Sequence, residues 1–377
     1  MEIGVPRETD RHEHRVGLTP LAVSRLTERG FTVWVERNAG LEARFQDGDY
    51  EAAGATIVYD TEEVYRRADV VCKVNSVLKE DLDLLKRGST ICGFHHLAIY
   101  PKEKVERVME LELTLIGYEI IRDAAGEFPV LVTFSEMAGQ MQVPIAANCL
   151  QTEVGGRGIL MGNVPGVPPP TVLILGAGNV GTLAARDALL AGAHVVVLDD
   201  DMENLRAINR EFSGRVVTAV SDTERLSRYT AIADVVIGAI LKPGSLTPRI
   251  ITEDMVRNMR GGSVIIDVSI DQGGCAETSR PTTLDQPTFV VHDVVHYCVP
   301  NITSNIARTA SRALADSCVP YLMQLGSKGL EAALASDAGL GAGVYIYQGS
   351  FVNVRTAEVF GLPVFPLAKL METGDVS

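Results

Sequence analysis

Residues 171–201, TVLILGAGNVGTLAARDALLAGAHVVVLDDD, constrain the fold more than any other part of the chain. An apolar run, Val172 to Leu175, leads into Gly176, Gly178 and Gly181 in G-x-G-x-x-G spacing. An alanine-rich segment of helical character follows, and a second apolar run, His194 to Leu198, ends at Asp199. Strand, tight turn, helix, strand and acid in this order make a dinucleotide-binding βαβ unit. Gly176 permits the turn. Gly178 lets the backbone approach a pyrophosphate, which the free N–H groups and the dipole of the helix N-terminus attract. Gly181 lets helix and strand pack closely. Asp199 lies 18 residues after Gly181, where a carboxylate can bond the adenosine ribose 2′-OH. A 2′-phosphate would meet like charge there, reinforced by Asp200 and Asp201, so the expected cofactor is NAD and not NADP. The bland alternative is a turn whose glycines serve packing alone.

The 377 residues are 46% apolar, enough for a large core and two domains. With a net charge of −14 and no Lys/Arg block, neither nucleic acid nor an anionic membrane is an expected partner. No apolar run approaches the ~20 residues that cross a bilayer. The opening MEIGVPRETD reads as the start of a strand and not as a targeting peptide. The six cysteines are scattered, with no C-x-x-C pair and no Cys/His cluster. They read as small core residues of a cytoplasmic protein, and no metal site is expected.

Residues 1–130 alternate short β-branched runs (3–5, 32–35, 56–58, 70–74, 90–94, 114–117) with helix-like segments, the pattern of βαβ units and a parallel sheet. This half carries no nucleotide fingerprint. Residues 134–152 form a long helix-compatible stretch, with Ser135-Glu136 as its expected cap and first turn. The passage 155–170 must be loop, because Pro168, Pro169 and Pro170 cannot sit in a helix interior or a central strand. After the opening unit, runs at 216–220, 234–239, 263–269 and 289–294 give a six-stranded, doubly wound sheet of order 3-2-1-4-5-6. A second long helix-compatible stretch, 305–325, should lead back to the first domain, and the tail reads as short helical pieces. The expected organisation is α/β: a substrate domain, 1–130 and 310–377, and a dinucleotide-binding domain, 131–309.

In a two-domain protein of this kind, candidates for substrate chemistry are polar residues at strand ends. Arg15, in RHEHRVGLTP, can clamp a carboxylate bidentately or be a solvated loop residue. His95 and His96 end the run 90–94. A histidine there suits acid/base work, and a packed core histidine is the alternative. In an extended segment the two face opposite ways, so at most one is catalytic. Asp271, on a loop before Gly273-Gly274, can order water, orient a histidine, accept from an ammonium group or simply form an Asx turn. Asn301 can cap the following helix or bond a cofactor amide.

Together, GVPRE, RVGLTP, His96-Leu97-Ala98, SEMAG, GGRGILMGNVPGV, GAGNVG, IDQGGCAETSRPTT and HDVVHYCVPN resemble the alanine dehydrogenase family over essentially the whole chain. The resemblance implies reversible conversion of L-alanine, water and NAD to pyruvate, ammonia and NADH. It also implies two Rossmann-like domains, one inserted into a discontinuous substrate domain, in a homo-oligomer that is usually a hexamer. It assigns the substrate carboxylate to Arg15, acid/base work to His96, a catalytic role to Asp271, the ribose to Asp199, and the cofactor lining to Ser135, Ser221 and Asn301. One position departs. The family carries K-V-K-E-P, whose second lysine contacts the substrate carbonyl, whereas this chain reads Lys73-Val74-Asn75-Ser76-Val77. Asn75 can donate a hydrogen bond but brings no charge. A divergent substrate, or a dinucleotide-binding protein with little dehydrogenase activity, is the alternative expectation. Lys73, two residues away, is expected on the same strand face.

Overall fold

The computed structural model describes residues 1–241 and 246–373, so the last four residues of the expected substrate domain lie outside the described ones. The described chain forms two compact units, residues 1–134 with 303–373, and residues 135–241 with 246–302.

In the first unit, β1 (Glu2–Val5), β2 (Thr32–Glu36), β3 (Thr56–Val58), β4 (Val70–Asn75), β5 (Thr90–Phe94) and β6 (Thr114–Gly117) are parallel, in the order 3-2-1-4-5-6. Helices Pro20–Thr27, Asp47–Ala52, Thr61–Arg67 and Lys102–Glu110 connect several of them. Thr19 and Asp60 cap two of these helices through their side chains. Strands buried on both faces read as near-continuous apolar runs, which is why β4 and β5 were legible. One extra residue enters β4 between Cys72, paired with Cys92, and Asn75, paired with Phe94. This bulge breaks the period-two alternation expected to put Lys73 and Asn75 on one face.

The second unit holds β7 (Thr171–Leu175), β8 (His194–Asp199), β9 (Val217–Val220), β10 (Val235–Gly238), β11 (Val264–Asp267), β12 (Thr288–Val291) and β13 (Val294–Tyr297). Its parallel strands run β9-β8-β7-β10-β11-β13, again 3-2-1-4-5-6. The sixth strand differs from the sequence reading. The run 289–294 is an antiparallel edge strand, β12, and the parallel strand is β13, joined to it by His292-Asp293 with φ of 52° and 62°. Two consecutive positive φ values mark a tight hairpin, and a His-Asp pair does not announce one as Asn-Gly does.

The long helix expected from Ser135 begins earlier, spanning Pro129–Cys149. Proline at the first helical position costs no hydrogen bond, so the chain starts there and Ser135 lies inside the helix. The second long helix spans Ala307–Lys328 after a short 3-10 turn, Ile302–Ile306. Both helices contain an interior proline, Pro144 and Pro320.

The tail also differs from expectation. Val344–Tyr347 (β14) and Ser350–Phe351 (β15) form a hairpin around Gln348-Gly349, φ 44° and 78°. β14 pairs antiparallel with β6, extending the first sheet to eight strands.

Candidate active site

In the second unit the glycine turn has the expected form. Gly176 has φ 103°, and a Cβ there would stand 2.5 Å from the Ala239 carbonyl oxygen. Gly178 is the N-cap of helix Asn179–Ala191. A Cβ on Gly181 would lie 1.9 Å from the Gly176 oxygen, so that position serves packing. A Cβ on Gly178 would meet nothing within 4 Å. Its missing side chain therefore leaves an open cradle above the helix N-terminus, which fits a phosphate. The Asp199 carboxylate closes the other side of the turn. Its Oδ2 accepts from the Ala177 N–H at 2.6 Å and its Oδ1 from the Asp201 N–H at 2.7 Å. The Ser221 N–H donates to the Asp199 carbonyl at 2.9 Å, fixing the ends of β8 and β9 side by side. Ser135 is buried.

Asp271 lies in the 3-10 turn Val268–Gln272, and its Oδ1 accepts from the Asn301 N–H at 2.9 Å. Two expected site residues are thus bonded to each other, and Asn301 is held in the left-handed region at φ 50°. Asp267, at the end of β11, organises the loop beneath them by accepting from the N–H groups of Ser269 and Cys275.

In the first unit Arg15 is only 3% exposed, which rules out the solvated-loop reading. Its Nε and Nη2 donate to the two oxygens of Glu13 at 2.6 and 2.5 Å, and its Nη1 to Thr303 Oγ1 at 2.9 Å. One bidentate edge of the guanidinium is therefore filled by Glu13, contrary to a simple substrate clamp. The Asn75 Nδ2 donates to Glu13 Oε2 at 2.7 Å, and Arg15 Nη2 reaches Asn75 Oδ1 at 3.5 Å. Glu13, Arg15 and Asn75 form one cluster. Lys73 has other partners: its Nζ lies 3.2 Å from Glu8 and 3.3 Å from Asp81. Burial opposes the charge on Lys73, but Glu8, Tyr65 and Asp81 offset this and raise its pKa. Burial raises the pKa of Glu8.

The two histidines part company after β5. His95 is 1% exposed; its Nε2–H donates to the Ile91 carbonyl, so its Nδ1 accepts from Ser76 Oγ at 2.8 Å. Burial pushes its pKa down to about 4. It is a satisfied core histidine. His96 leaves the extended conformation altogether, at φ 44°, ψ 43°. A non-glycine residue there stores roughly 1–3 kcal/mol, held by its surroundings. Its ring stacks on Phe94 at 6.1 Å between centroids. Phe94 packs edge-on against Phe134, and the Arg15 guanidinium lies 5.5 Å from the Phe134 centroid. A continuous aromatic wall therefore runs from Arg15 to His96.

Sequence reasoning missed Glu13, Thr303 and Glu119. Glu13 stood in a passage already singled out, two residues from Arg15. Thr303 and Glu119 reach the site only through the fold. Among the described residues, no group of three or more His, Cys, Asp or Glu side chains is placed to hold a metal ion. No helix among them is long and apolar enough to cross a membrane.

The sequence matches the family model for the alanine dehydrogenase/PNT N-terminal domain over residues 4–138 and that for the C-terminal domain over residues 142–354. It is 39% identical to an alanine dehydrogenase of Mycolicibacterium smegmatis over 371 residues, covering 98% of this chain and 100% of the relative. It is 42% identical to alanine dehydrogenase 2 of Staphylococcus aureus over 362 residues, covering 96% of each. A solved L-alanine dehydrogenase superimposes with a TM-score of 0.89 at 40% identity, covering 96% of this chain and 99% of that one. Two 3-2-1-4-5-6 sheets, the glycine cradle and similarity along nearly the full length lead to one conclusion: the chain belongs to the alanine dehydrogenase/PNT family.

Proposed function

We propose that the protein is an NAD-dependent amino-acid dehydrogenase of the alanine dehydrogenase type, converting L-alanine and water to pyruvate and ammonia, reversibly. The observation that carries this is the wall joining Arg15, Asn75 and His96 in the first unit, a carboxylate-binding group and a proton-moving group on one surface. Arg15, its guanidinium fixed by Glu13, Thr303 and Asn75, supplies the positive charge that draws the substrate carboxylate. Asn75 donates its amide toward the carbonyl oxygen, more weakly than a lysine would. His96 takes and returns the proton as water adds and ammonia leaves, and Asp271 serves the second proton role by family resemblance. Gly178 and Asp199 hold NAD at the turn that Gly176 and Gly181 allow to close, with Ser135, Ser221 and Asn301 along its length. When bound, NAD supplies a hydride acceptor.

The six cysteines are all buried and unbridged, which supports a reducing, cytoplasmic location. A homo-oligomer, a hexamer by family resemblance, completes the reading. His96→Ala is the direct test. Turnover should fall by about 10²–10⁴-fold while NADH binding stays as in wild type. Unchanged turnover in that variant overturns the assignment.

One observation favours a different substrate for the same chemistry. Where the family's K-V-K-E-P stretch has its second lysine, this chain has Asn75, whose amide donates to Glu13 Oε2 at 2.7 Å. A neutral amide suits a substrate that carries its own cation, which a lysine would repel. NADH absorbance followed across a panel of L-amino acids with NAD decides between the two: fastest turnover of alanine, or of an amino acid with a basic side chain.

A further inference from the structure

Glu119 lies two residues beyond β6 and is 2% exposed. A buried carboxylate must find donors, and these converge on one feature. Its Oε1 accepts from the His96 N–H at 2.6 Å and from the Tyr345 hydroxyl at 2.9 Å; its Oε2 accepts from the His95 N–H at 3.3 Å. Two consecutive backbone donors are thus gripped by one carboxylate where the chain turns left-handed. The acceptor is itself steadied by Tyr345, from the tail hairpin. Gly117 makes room for this arrangement, since a Cβ there would lie 2.3 Å from the Tyr345 ring and 3.1 Å from Glu119 Oε2. The geometry asks for a carboxylate. Two adjacent N–H groups need two acceptors, whereas a glutamine offers one oxygen and an opposing NH₂.

We infer that Glu119 is the positioning residue of His96: together with Tyr345 it fixes the left-handed turn that aims the imidazole, and it affects turnover only through that ring. The inference rests on the proposed acid/base role of His96. The backbone closes a short 3-10 turn through Ile99 N–H to the His96 carbonyl and Tyr100 N–H to the Leu97 carbonyl, both 3.1 Å, while the His95 and His96 N–H groups on its entry side are held by Glu119. A shift of about 1 Å in a reacting group is enough for a loss of up to about 100-fold.

A double-mutant cycle on the full chain tests this. Glu119→Gln and His96→Ala are made singly and together, and turnover is measured with NAD and whichever amino acid of the panel reacts fastest. NADH fluorescence titration and thermal melting accompany each variant. Glu119→Gln should lower kcat by about 10- to 100-fold with NADH affinity unchanged. On the His96→Ala background the same change should cost nothing further. Equal losses on both backgrounds would show a merely structural residue and overturn the inference, as would wild-type turnover in Glu119→Gln. Wild-type turnover in His96→Ala is a separate failure, that of the acid/base role. If Glu119→Gln does not fold, Tyr345→Phe removes a single hydroxyl. It should lower kcat a few-fold on the wild-type background alone, and an equal loss on both backgrounds again overturns the inference.

Discussion

Gly178→Ala and Gly181→Ala separate a cofactor site from a packing motif. The added methyl at Gly181 would stand 1.9 Å from the Gly176 oxygen, so helix or strand must move. Overpacking of this kind costs about 1–3 kcal/mol. At roughly 2–4 °C per kcal/mol for a unit of this size, the melting temperature should fall by about 2–12 °C. Gly178 is different. Its φ of −77° and ψ of −166° are open to any residue, and its Cβ direction is empty. Alanine is a poorer N-cap than glycine, but the unfolded chain loses about 0.4–1 kcal/mol of entropy in compensation. The two nearly cancel, and the melting temperature should stay within about 2 °C. The methyl instead occupies the cradle. Losing hydrogen bonds to a charged phosphate costs about 1.5–3 kcal/mol, or about 10- to 150-fold in affinity. Fluorescence titration with NADH and thermal melting read the two effects. Wild-type NADH affinity in Gly178→Ala would refute the cradle, whatever the fate of Gly181→Ala.

Two more predictions follow from buried groups. Asn75→Lys places a cation where the amide now donates to Glu13 Oε2, and a charged donor exceeds a neutral one by about 1–1.5 kcal/mol. The kcat/KM for pyruvate with ammonia and NADH should rise by about 5- to 12-fold; no change would remove Asn75 as the specificity determinant. His95 has its pKa depressed to about 4 from 6.5, so its neutral burial stabilises the fold above pH 6.5. That contribution, up to about 3 kcal/mol, is lost as pH falls through 6.5 toward 4. His95→Gln should flatten the melting curve in that window, and parallel curves for the two proteins would contradict the assignment.

Local signals carried the sequence reading far. All six parallel strands of the first sheet announced themselves as β-branched runs, and the glycine spacing placed the turn between β7 and the helix Asn179–Ala191. What stayed hidden depends on pairing at long range or on turns without a local signature. The strand Val344–Tyr347 could be read as one only by noticing that Gln348-Gly349 can turn tightly. The bulge at Asn75 leaves no trace in sequence, because it is a mismatch between two strands and belongs to neither. Arg15 was singled out without its partner Glu13, since a loop sequence does not show which side chains fold back on each other. The opposite facing of His95 and His96 was inferred from an extended chain. The structure instead separates them by a left-handed turn at His96, held by Glu119.

The tail hairpin has a consequence for the order in which the molecule assembles itself. Tyr345 and Glu119 are 226 positions apart, and β14 covers the edge of β6. At a synthesis rate of about 5–20 residues per second, the carboxylate waits some ~10–45 s for its partner. During that interval the edge of β6 is unpaired and open to wrong partners. The strands of the second unit, all between residues 171 and 297, have emerged well before then. The His96 turn is therefore among the last features to set, after the strands that carry the glycine turn.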